Sequence, residues 1–517
     1  MPAFQLENLE ESLMPMTAGH VDRANFELAD LPWKGARVWP GRPALRWNTG
    51  MQQRTWPELY ERVSRLVAIL KGRGIGSDVR VGVLAPNVPE YFELFFACAR
   101  IGAVLVPLNV RLSEKELLYL IDDSEMALVA LDPLMVDKLK GREEVQRLLL
   151  GPSYESALFA AQPDHEEGPR DAGRDLVQMY TSGTTGTPKG CLQSASGWFQ
   201  SCVAFGEALQ LPDGAGIVSG APYFHTFGLG IALTHLLVGG TVSVITGIHG
   251  DDFWPTVDVV KPHTVVPSRK LPEEFTPRAA VRLMIGQAGQ YRPELGAFMR
   301  SVYPEARYAG IYGLTEATNI VMLSCEEDEI DHPGTLGIPT PGIDVFIAGA
   351  DGPAAAGETG ELLLRGGQMC SGYWRNEEAT DALFEGGWLH TGDLATRDEE
   401  GRIYFADRSK DMIKTGGENV YSAEVERVLR ASGLVADVAV YGVPDARWTE
   451  TVKATVILWD PTEQTIDALD AFCQAEIAGY KRPRWYEMVT QIPRNETNKV
   501  LKAQLRAEHD PDRCIRK

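Results

Sequence analysis

Apolar positions in the first part of the chain alternate between a helical and an extended period. Residues 59–70 are apolar at helical spacing and follow Thr55-Trp56-Pro57-Glu58, which has the spacing of a capping box. Residues 79–83 alternate as in a strand, 90–100 have a helical pattern, and 103–106 form a further short apolar run. This rhythm predicts an α/β fold in which helices are layered on mostly parallel sheets.

The pattern changes from Ile338 onward. Segments 342–348 and 360–365 are short, alternate in polarity and are separated by glycine and proline, which predicts a small antiparallel or β-barrel-like subdomain. We therefore expect residues 1–409 to form a large N-terminal domain that includes this subdomain.

A second compact pattern follows and predicts a small α+β C-terminal domain over residues 410–517. Ser422 is placed to cap a helix, strands are expected at 438–441 and 452–458, and a helix is expected at 465–478.

Composition and charge narrow the class of protein. The 517 residues suggest about three structural units at roughly 150 residues each. A formal charge of −21 disfavours nucleic acid or an anionic membrane as partner. Seven cysteines without CxxC spacing indicate a reducing compartment, and residues 95–108 are too short and too interrupted to span a bilayer. We expect a soluble, cytoplasmic protein.

The strongest chemical signal is the segment Tyr180-Thr181-Ser182-Gly183-Thr184-Thr185-Gly186-Thr187-Pro188-Lys189-Gly190. Glycines free backbone amides, hydroxyls add donors and one lysine adds positive charge, which together favour polyphosphate binding. It is not a Walker A loop, because Pro188 precedes the lysine and Gly190 follows it. The structural alternative is a surface linker rich in serine, threonine and glycine.

This segment resembles the phosphate loop of the adenylate-forming superfamily, which comprises acyl-CoA synthetases, adenylation domains of peptide synthetases and luciferases. Six further motifs of that superfamily occur in order over nearly the whole chain: 222–225, 312–316, 334–339, 388–393, 407–419 and 493–499. The resemblance implies a large N-terminal domain, a hinge and a small mobile C-terminal domain.

The resemblance also implies roles for single residues. Thr184 and Glu316 would hold Mg²⁺, Thr315 would bond the α-phosphate, and Lys499 would be the catalytic lysine that bridges carboxylate and α-phosphate. The remaining nucleotide-binding residues would be Thr181, Ser182, Gly183, Thr185, Gly186, Lys189, Gly289, Tyr312 (stacked on adenine), Gly313, and Asp393 with Arg408 at the ribose.

Other positions concern the acid and coenzyme A. His225 and Ile311 would border the acyl pocket. Lys410 would be the hinge, and a loop containing Gly416, Gly417 and Glu418 would form the pantetheine tunnel. Each residue type also has a structural explanation. Aspartate after glycine is common in turns, exposed glutamate and lysine are usually solvated, and histidine between aromatic residues is usually packed.

Several positions depart from the superfamily pattern. Between Val265-Val266-Pro267 and Val281 lie only residues 268–280, with Pro272 and Pro277, where the superfamily has a helix beside the acyl pocket. A lost wall element predicts a wider pocket and a bulky acid, unless the helix lies elsewhere. The adenine-side loop is Gln287-Ala288-Gly289-Gln290, Ile311 replaces a glycine, and Asn498 precedes the catalytic lysine.

The sequence thus predicts an AMP-forming acyl-CoA ligase that uses ATP, Mg²⁺ and coenzyme A on a bulky, largely apolar acid. Adenylation turns an inert carboxylate into an electrophile that the CoA thiol can attack. Similarity to bacterial ligases for natural-product acids of the platensimycin/platencin type suggests antibiotic biosynthesis. Three alternatives stay open: thioesterification of a preformed adenylate, loading of a carrier protein, and a non-catalytic nucleotide-binding scaffold. A monomer or a homodimer is expected.

Overall fold

The computed structural model describes residues 27–140, 144–166, 168–181, 188–246, 251–267, 276–349, 352–408, 411–415, 418–445, 447–495 and 499–517. Its α-helices are α1 Leu31–Val38, α2 Trp56–Gly72, α3 Glu90–Ile101, α4 Glu114–Ser124, α5 Pro152–Ala160, α6 Ala195–Ala208, α7 Thr226–Leu237, α8 Phe253–Val260, α9 Pro293–Val302, α10 Glu326–Asp331, α11 Glu377–Leu383, α12 Ser422–Ala431, α13 Glu463–Glu476 and α14 Lys502–Ala507.

The strands fall into three sheets. In chain order they are β1 Pro43–Trp47, β2 Gln52–Thr55, β3 Arg80–Leu84, β4 Val104–Pro107, β5 Leu128–Leu131, β6 Gln146–Leu149, β7 Asp175–Thr181, β8 Lys189–Ser194, β9 Ile217–Ser219, β10 Val242–Val244, β11 Thr264–Val266, β12 Leu283–Gln287, β13 Arg307–Leu314, β14 Asn319–Cys325, β15 Thr335–Pro339, β16 Ile343–Gly349, β17 Gly352–Pro353, β18 Gly360–Gly366, β19 Gly372–Tyr373, β20 Leu389–Arg397, β21 Ile403–Arg408, β22 Ile413–Thr415, β23 Glu418–Val420, β24 Val435–Asp445, β25 Thr449–Leu458, β26 Trp485–Met488 and β27 Ile515–Arg516.

The predicted α/β architecture is confirmed. A 14-stranded sheet contains the parallel run β1-β10-β9-β11-β12-β13, and a seven-stranded sheet contains the parallel run β7-β4-β3-β5-β6. One large apolar core takes residues from both sheets and from helices α2, α3, α6 and α7. Thr55 and Glu58 form the predicted capping box, in which the Glu58 carboxylate accepts the Thr55 amide at 2.7 Å.

The segment predicted to be a small β-barrel-like subdomain consists of antiparallel strands, which extend the larger sheet. β14 pairs antiparallel with β13 and β15, and the pairing continues through β21, β20, β18 and β16 to β17. A second core cluster fills this part of the molecule. It lies directly beside strand β13, from which several candidate site residues project.

The chain beyond residue 411 forms a six-stranded sheet with its own apolar core. The prediction that Ser422 caps helix α12 is wrong. Tyr421 occupies the cap position without a side-chain cap bond, and Ser422 is already helical. The Ser422 hydroxyl instead donates to Asp407 at 3.1 Å, and its amide donates to the same carboxylate. The buried Asp407 at the end of β21 thereby contacts the first turn of α12.

In the part of the chain that the structure describes, no helix combines the length and the apolar character needed to cross a bilayer. The longest one, α2, has 17 residues and carries several charged side chains.

Candidate active site

The candidate site lies where strands of both large sheets end. β13 ends at Leu314 and runs directly into the short 3₁₀ turn Thr315–Ala317, and β7 ends at Thr181. Ligands of open α/β sheets bind at the carboxyl ends of the strands, which is where these segments meet. The turn brings Thr315 and Glu316 beside strand β8, the first strand after the predicted phosphate loop.

Thr315 is held from two sides. Its carbonyl accepts a 2.7 Å hydrogen bond from Nε2 of Gln193 on β8, and the Cys191 thiol lies 3.7 Å from the same oxygen. The Thr226 hydroxyl, at the start of α7, donates to the Thr315 hydroxyl at 3.4 Å. These contacts fix the backbone of the turn and orient the Thr315 side chain.

Glu316 and Lys189 meet around one aromatic ring. The Tyr373 hydroxyl on β19 donates to Oε1 of Glu316 at 2.8 Å, and Nζ of Lys189 lies 5.0 Å from the Tyr373 ring centroid. Burial, followed by the charge of Glu316, raises the pKa of Tyr373 well above its ordinary range. Tyr373 therefore stays protonated and acts as a permanent donor to the carboxylate.

Tyr312 and Asp393 are brought together although 81 residues separate them in sequence. The Tyr312 hydroxyl on β13 donates to Oδ2 of Asp393 on β20 at 2.6 Å. Asp393 is buried, and its own amide donates to the Thr391 hydroxyl at 3.0 Å. A buried carboxylate with good acceptor geometry can receive paired hydroxyl donors, which is the chemistry that a ribose offers.

The loop at residues 287–291, predicted to lie on the adenine side, is held by an acidic residue that the sequence did not reveal. Glu329 on α10 is buried, its Oε2 accepts the Tyr291 amide at 2.7 Å, and its Oε1 accepts the Ser324 hydroxyl at 2.6 Å. Burial raises the pKa of Glu329, and the hydrogen bonds from Ser324 and from the amides of residues 291, 289 and 290 oppose that rise. A Cβ on Gly310 would lie 2.2 Å from Oε1 of Glu329, so a larger residue there would displace the carboxylate.

Gly289 itself has a left-handed backbone with φ of 73°, and a Cβ there would lie 3.1 Å from the Gly334 carbonyl oxygen. Gly313 is similarly tight, because its Cβ would lie 2.0 Å from the Asn319 carbonyl oxygen. Both predicted glycines therefore allow close backbone approach beside Tyr312.

The two residues assigned to the acyl pocket occupy different environments. His225 precedes α7, and its Nε2 is buried without a hydrogen-bond partner among the described residues. Burial, with a smaller contribution from Arg111, lowers the pKa of His225 to about 4, so the imidazole is neutral at neutral pH. Ile311 is buried on β13 and belongs to the large core cluster.

Lys499 lies on an exposed turn of the C-terminal unit. Its amide donates to Oδ1 of Asn495 at 2.7 Å, and the Asn495 amide donates to the Lys499 carbonyl at 2.8 Å. Arg494 and Val500 form an isolated antiparallel bridge that closes the turn. The backbone at Lys499 is thus hydrogen-bonded to Asn495, and Lys499 is exposed.

Several predicted residues lie outside the described part of the chain. They are Ser182, Gly183, Thr184, Thr185 and Gly186 of the predicted phosphate loop, the predicted hinge residue Lys410, and Gly416 and Gly417. Arg408 and Glu418 are described only as backbone positions of β21 and β23, where Arg408 is in register with Asp393.

Comparison with known proteins decides the family. The family model of the AMP-binding enzymes matches residues 33–374, and the model of the AMP-binding enzyme C-terminal domain matches residues 424–499. The chain belongs to the AMP-binding enzymes. Together with its relatives, this identifies it as an AMP-forming acyl-CoA synthetase and confirms the resemblance found in the sequence.

Several of the relatives are CoA ligases or synthases whose length is similar to that of this chain. A feruloyl-CoA synthase of Amycolatopsis sp. is 34% identical over 493 residues, which cover 93% of this chain and 99% of that protein. A 2-succinylbenzoate–CoA ligase of Geobacillus kaustophilus is 31% identical, with 92% and 97% covered. The solved o-succinylbenzoate-CoA synthetase of Bacillus subtilis with its acyl-adenylate has a TM-score of 0.81 at 26% identity, with 93% and 99% covered. The same enzyme has been solved with ATP and magnesium, with a TM-score of 0.79.

The sequence motifs identified candidate site residues at the ends of strands but not the residues that hydrogen-bond to them. Tyr373, Gln193 and Glu329 lie outside the motifs that carried the prediction, and ordinary local sequence surrounds them. Of these three residues, only Glu329 had a recognisable sequence signal, because residues 326–331 are unusually rich in acidic side chains for so short a helix.

Proposed function

We propose that this synthetase converts a bulky, largely apolar carboxylic acid into its CoA thioester, with Mg²⁺ supporting the adenylation step. The observation that carries the substrate class is the connection between the neighbouring parallel strands β11 and β12. It spans only residues 267–282, and its described part, 276–282, contains no helix. The other eight residues, 268–275, lie outside the described part of the chain, and their sequence, which contains Pro272, predicts no long helix.

We expect a connection without a long helix to leave space beside strand β11. Parallel strands are usually joined through a helix that packs on the sheet, and in the resembling superfamily that helix borders the acyl pocket. The neutral imidazole of His225 and the buried side chain of Ile311 add little charge to this region. An apolar acid of larger cross-section fits such surroundings better than a small charged acid.

For adenylation we assign Glu316 and Thr184 to Mg²⁺ and Lys499 to the reacting carboxylate and α-phosphate. Glu316 suits a hard cation, because Tyr373 engages Oε1 while Oε2 accepts no hydrogen bond from the described residues. Bound Mg²⁺ would neutralise charge on the phosphates. Within the described residues no group of three histidine, cysteine or acidic side chains could hold a metal, which agrees with an ion held mainly by phosphate oxygens.

For thioesterification we assign Lys410 as the hinge between residues 1–409 and 410–517. Rotation there would carry Lys499 away and bring the loop with Gly416, Gly417 and Glu418 toward the adenylate. Because both groups would act at the same adenylate, the two half-reactions would use two arrangements of the small domain.

The test measures thioester formation with ATP, CoA and a panel of acids. The panel contains a hydroxycinnamic acid, 2-succinylbenzoate, a long-chain fatty acid, benzoate and a diterpenoid acid. We expect the bulky acids to exceed benzoate in kcat/KM by at least tenfold. Preference for benzoate would contradict the substrate proposal, and failure of every acid and of preformed adenylates would contradict CoA ligation.

Lys499→Ala tests the assignment of roles. We expect adenylation to fall by roughly a hundredfold or more, since a positioned cation at developing charge is worth several kcal/mol, while thioester formation from preformed adenylate stays within about threefold. Lys499→Arg keeps the charge and separates charge from geometry. Equal losses in both half-reactions would contradict the assignment.

A second candidate is an enzyme that acts mainly on a preformed adenylate. It is favoured by the unusual loop Gln287-Ala288-Gly289-Gln290 and by Asn498 before the lysine. Exchange of labelled pyrophosphate into ATP with the preferred acid separates the two, because rapid exchange excludes this candidate.

A further inference from the structure

We propose that a cavity at the edge of the 14-stranded sheet opposite the candidate active site, where strands β9 and β11 begin, binds a phosphate group. The cavity has a volume of about 290 Å³ and is lined in part by Arg46, Ser243, Lys261 and His263. Ser243 lies on β10, and His263 immediately precedes β11. Strands β9, β10 and β11 have three residues each, so about 10 Å of strand separates this cavity from the carboxyl edge.

Two cations in this cavity lack partners. Nε of Arg46 is buried and has no hydrogen-bond acceptor among the described residues. Lys261, at the mouth, has no ion pair or hydrogen bond of its side chain within the same part of the chain. A buried donor left without an acceptor destabilises the folded protein. An anion that accepts from Arg46 would remove that cost and would also meet the Lys261 ammonium.

The carboxylates of adjoining segments do not neutralise these cations, because arginines already bind them. The pairs are Arg42–Asp213 at 2.6 Å, Arg278–Asp258 at 2.6 Å and Arg282–Glu305 at 3.1 Å. The local potential is therefore positive in a chain whose formal charge is −21. Consistent with this, the pKa of His263 is lowered first by burial and then by the nearby charges of Arg307 and Arg282.

The side chains suit a phosphate group better than a single carboxylate. A guanidinium offers a planar pair of donors, an ammonium offers a point charge, and the Ser243 hydroxyl and an imidazole N–H can each donate once. Phosphate supplies several strong acceptor oxygens and close to two charges near neutral pH. The volume leaves room for a small organic part, so inorganic phosphate and a small phosphate ester share the required chemistry.

The experiment measures the melting temperature of the full-length protein with phosphate, with glycerol 3-phosphate, or with chloride at equal ionic strength. The Arg46→Gln/Lys261→Gln double variant is compared with Lys115→Gln, which removes a charge from the exposed surface of α4. At a phosphate concentration tenfold above half-saturation, we expect the melting temperature of wild type and of Lys115→Gln to rise by about 2 °C. The melting temperature of the double variant should not change. Equal gains in all three proteins would overturn the proposal.

A second measurement locates the ligand. In protein labelled at histidine Cε1, the His263 resonance, assigned with His263→Gln, should move on phosphate addition and stay fixed in the double variant. The response must persist with AMP bound, because the cavity is not the nucleotide site, and a response abolished by AMP would also overturn the proposal. If the double variant does not fold, Lys261→Gln alone must raise the half-saturating phosphate concentration at least threefold with unchanged kcat in chloride. A larger gain with glycerol 3-phosphate identifies an ester as ligand, and equal gains identify the phosphate group itself.

Discussion

The Tyr373 hydroxyl donates a 2.8 Å hydrogen bond to the carboxylate of Glu316, and 57 residues separate the two in sequence. The same ring lies 5.0 Å from Nζ of Lys189. One phenol thus connects the residue that we assign to Mg²⁺ with the lysine that follows the phosphate loop. Because its pKa is raised, this donor does not titrate in the range where the enzyme would work.

Tyr373→Phe should weaken Mg²⁺-dependent adenylation. The variant removes a hydrogen bond to a charged group, worth about 1.5–3 kcal/mol, and leaves Glu316 free to turn away. We expect about a tenfold loss in pyrophosphate release at limiting Mg²⁺, with partial recovery at high Mg²⁺. Thioester formation from preformed adenylate is the control and should change less than threefold. A loss that is independent of Mg²⁺ concentration would contradict this role for Tyr373.

Glu329→Gln should weaken ATP binding while leaving the thiol step intact. The carboxylate receives the Tyr291 amide and the Ser324 hydroxyl, and a glutamine places an NH₂ donor against one of these donors. The loop at residues 287–291 should then lose its fixed geometry, because at least one buried donor is left unsatisfied. We expect KM for ATP to rise roughly five- to tenfold, by steady-state kinetics of adenylate formation.

Ser324→Ala is the matched comparison for Glu329→Gln. It removes one donor to the same carboxylate without placing a new donor in the loop, so its KM for ATP should rise less. Similar KM values in wild type and Glu329→Gln would show that the loop does not depend on this carboxylate.

Local sequence predicted the elements because their signals are local. The Thr55–Glu58 capping box, the helix that begins at Glu90 and the strand pairs of the C-terminal unit were found within a few residues of their expected bounds. Ser422 was misassigned because the competing acceptor, Asp407, lies 15 residues away on another element. A capping pattern covers only neighbouring residues, so it does not reveal such a long-range contact.

The site followed the same division. Residues in ordered motifs, such as Tyr312 and Asp393, were named from the sequence, but their mutual hydrogen bond depends on the pairing of distant strands. Glu329 reaches its loop only because Gly310 leaves room for the carboxylate, which is a packing relation between two elements. The cavity lined by Arg46, Ser243, Lys261 and His263 has no motif, since its lining residues come from five separate segments.

Asn495→Ala should reduce adenylation selectively. The Asn495 side chain accepts the Lys499 amide at 2.7 Å, so its loss loosens the turn that presents the lysine. We expect a fall in pyrophosphate exchange of roughly tenfold, because catalytic groups displaced by about 1 Å lose up to a hundredfold. Asn495→Asp keeps the acceptor and should retain most of the exchange activity. An Asn495→Ala protein that exchanges pyrophosphate like wild type would show that the turn is held by its backbone alone.

Two buried histidines should make the protein sensitive to acid. Burial lowers the pKa of His225 and of His235 to about 4 each, from an ordinary value of 6.5. Between pH 6.5 and 4 the unfolded chain therefore binds more protons at these positions than the folded chain does. The free energy of unfolding should fall as the pH drops through this window, and the stabilising contribution is fully present only above it.

His225→Gln checks this sign and the role of the imidazole together. Nε2 of His225 has no hydrogen-bond partner among the described residues, so the substitution sacrifices no known bond of that atom. His235 differs, because its ring nitrogens contact the Ile231 carbonyl and the Thr264 hydroxyl at 2.8 and 2.9 Å. His235→Gln should therefore lose stability at every pH.

Urea unfolding at pH 7.5, 6.5, 5.5 and 4.5 should show that the unfolding free energy of His225→Gln depends less steeply on pH than that of wild type. The imidazole is already neutral near pH 7, so its titration should not affect activity there. The pH profiles of kcat/KM for wild type and His225→Gln should therefore have the same shape near pH 6.5. If the pH slope of the unfolding free energy is the same in His225→Gln as in wild type, His225 titrates normally in the folded protein. If the variant instead loses a step in kcat/KM near pH 6.5, His225 is a proton-transfer group and not a wall of the acyl pocket.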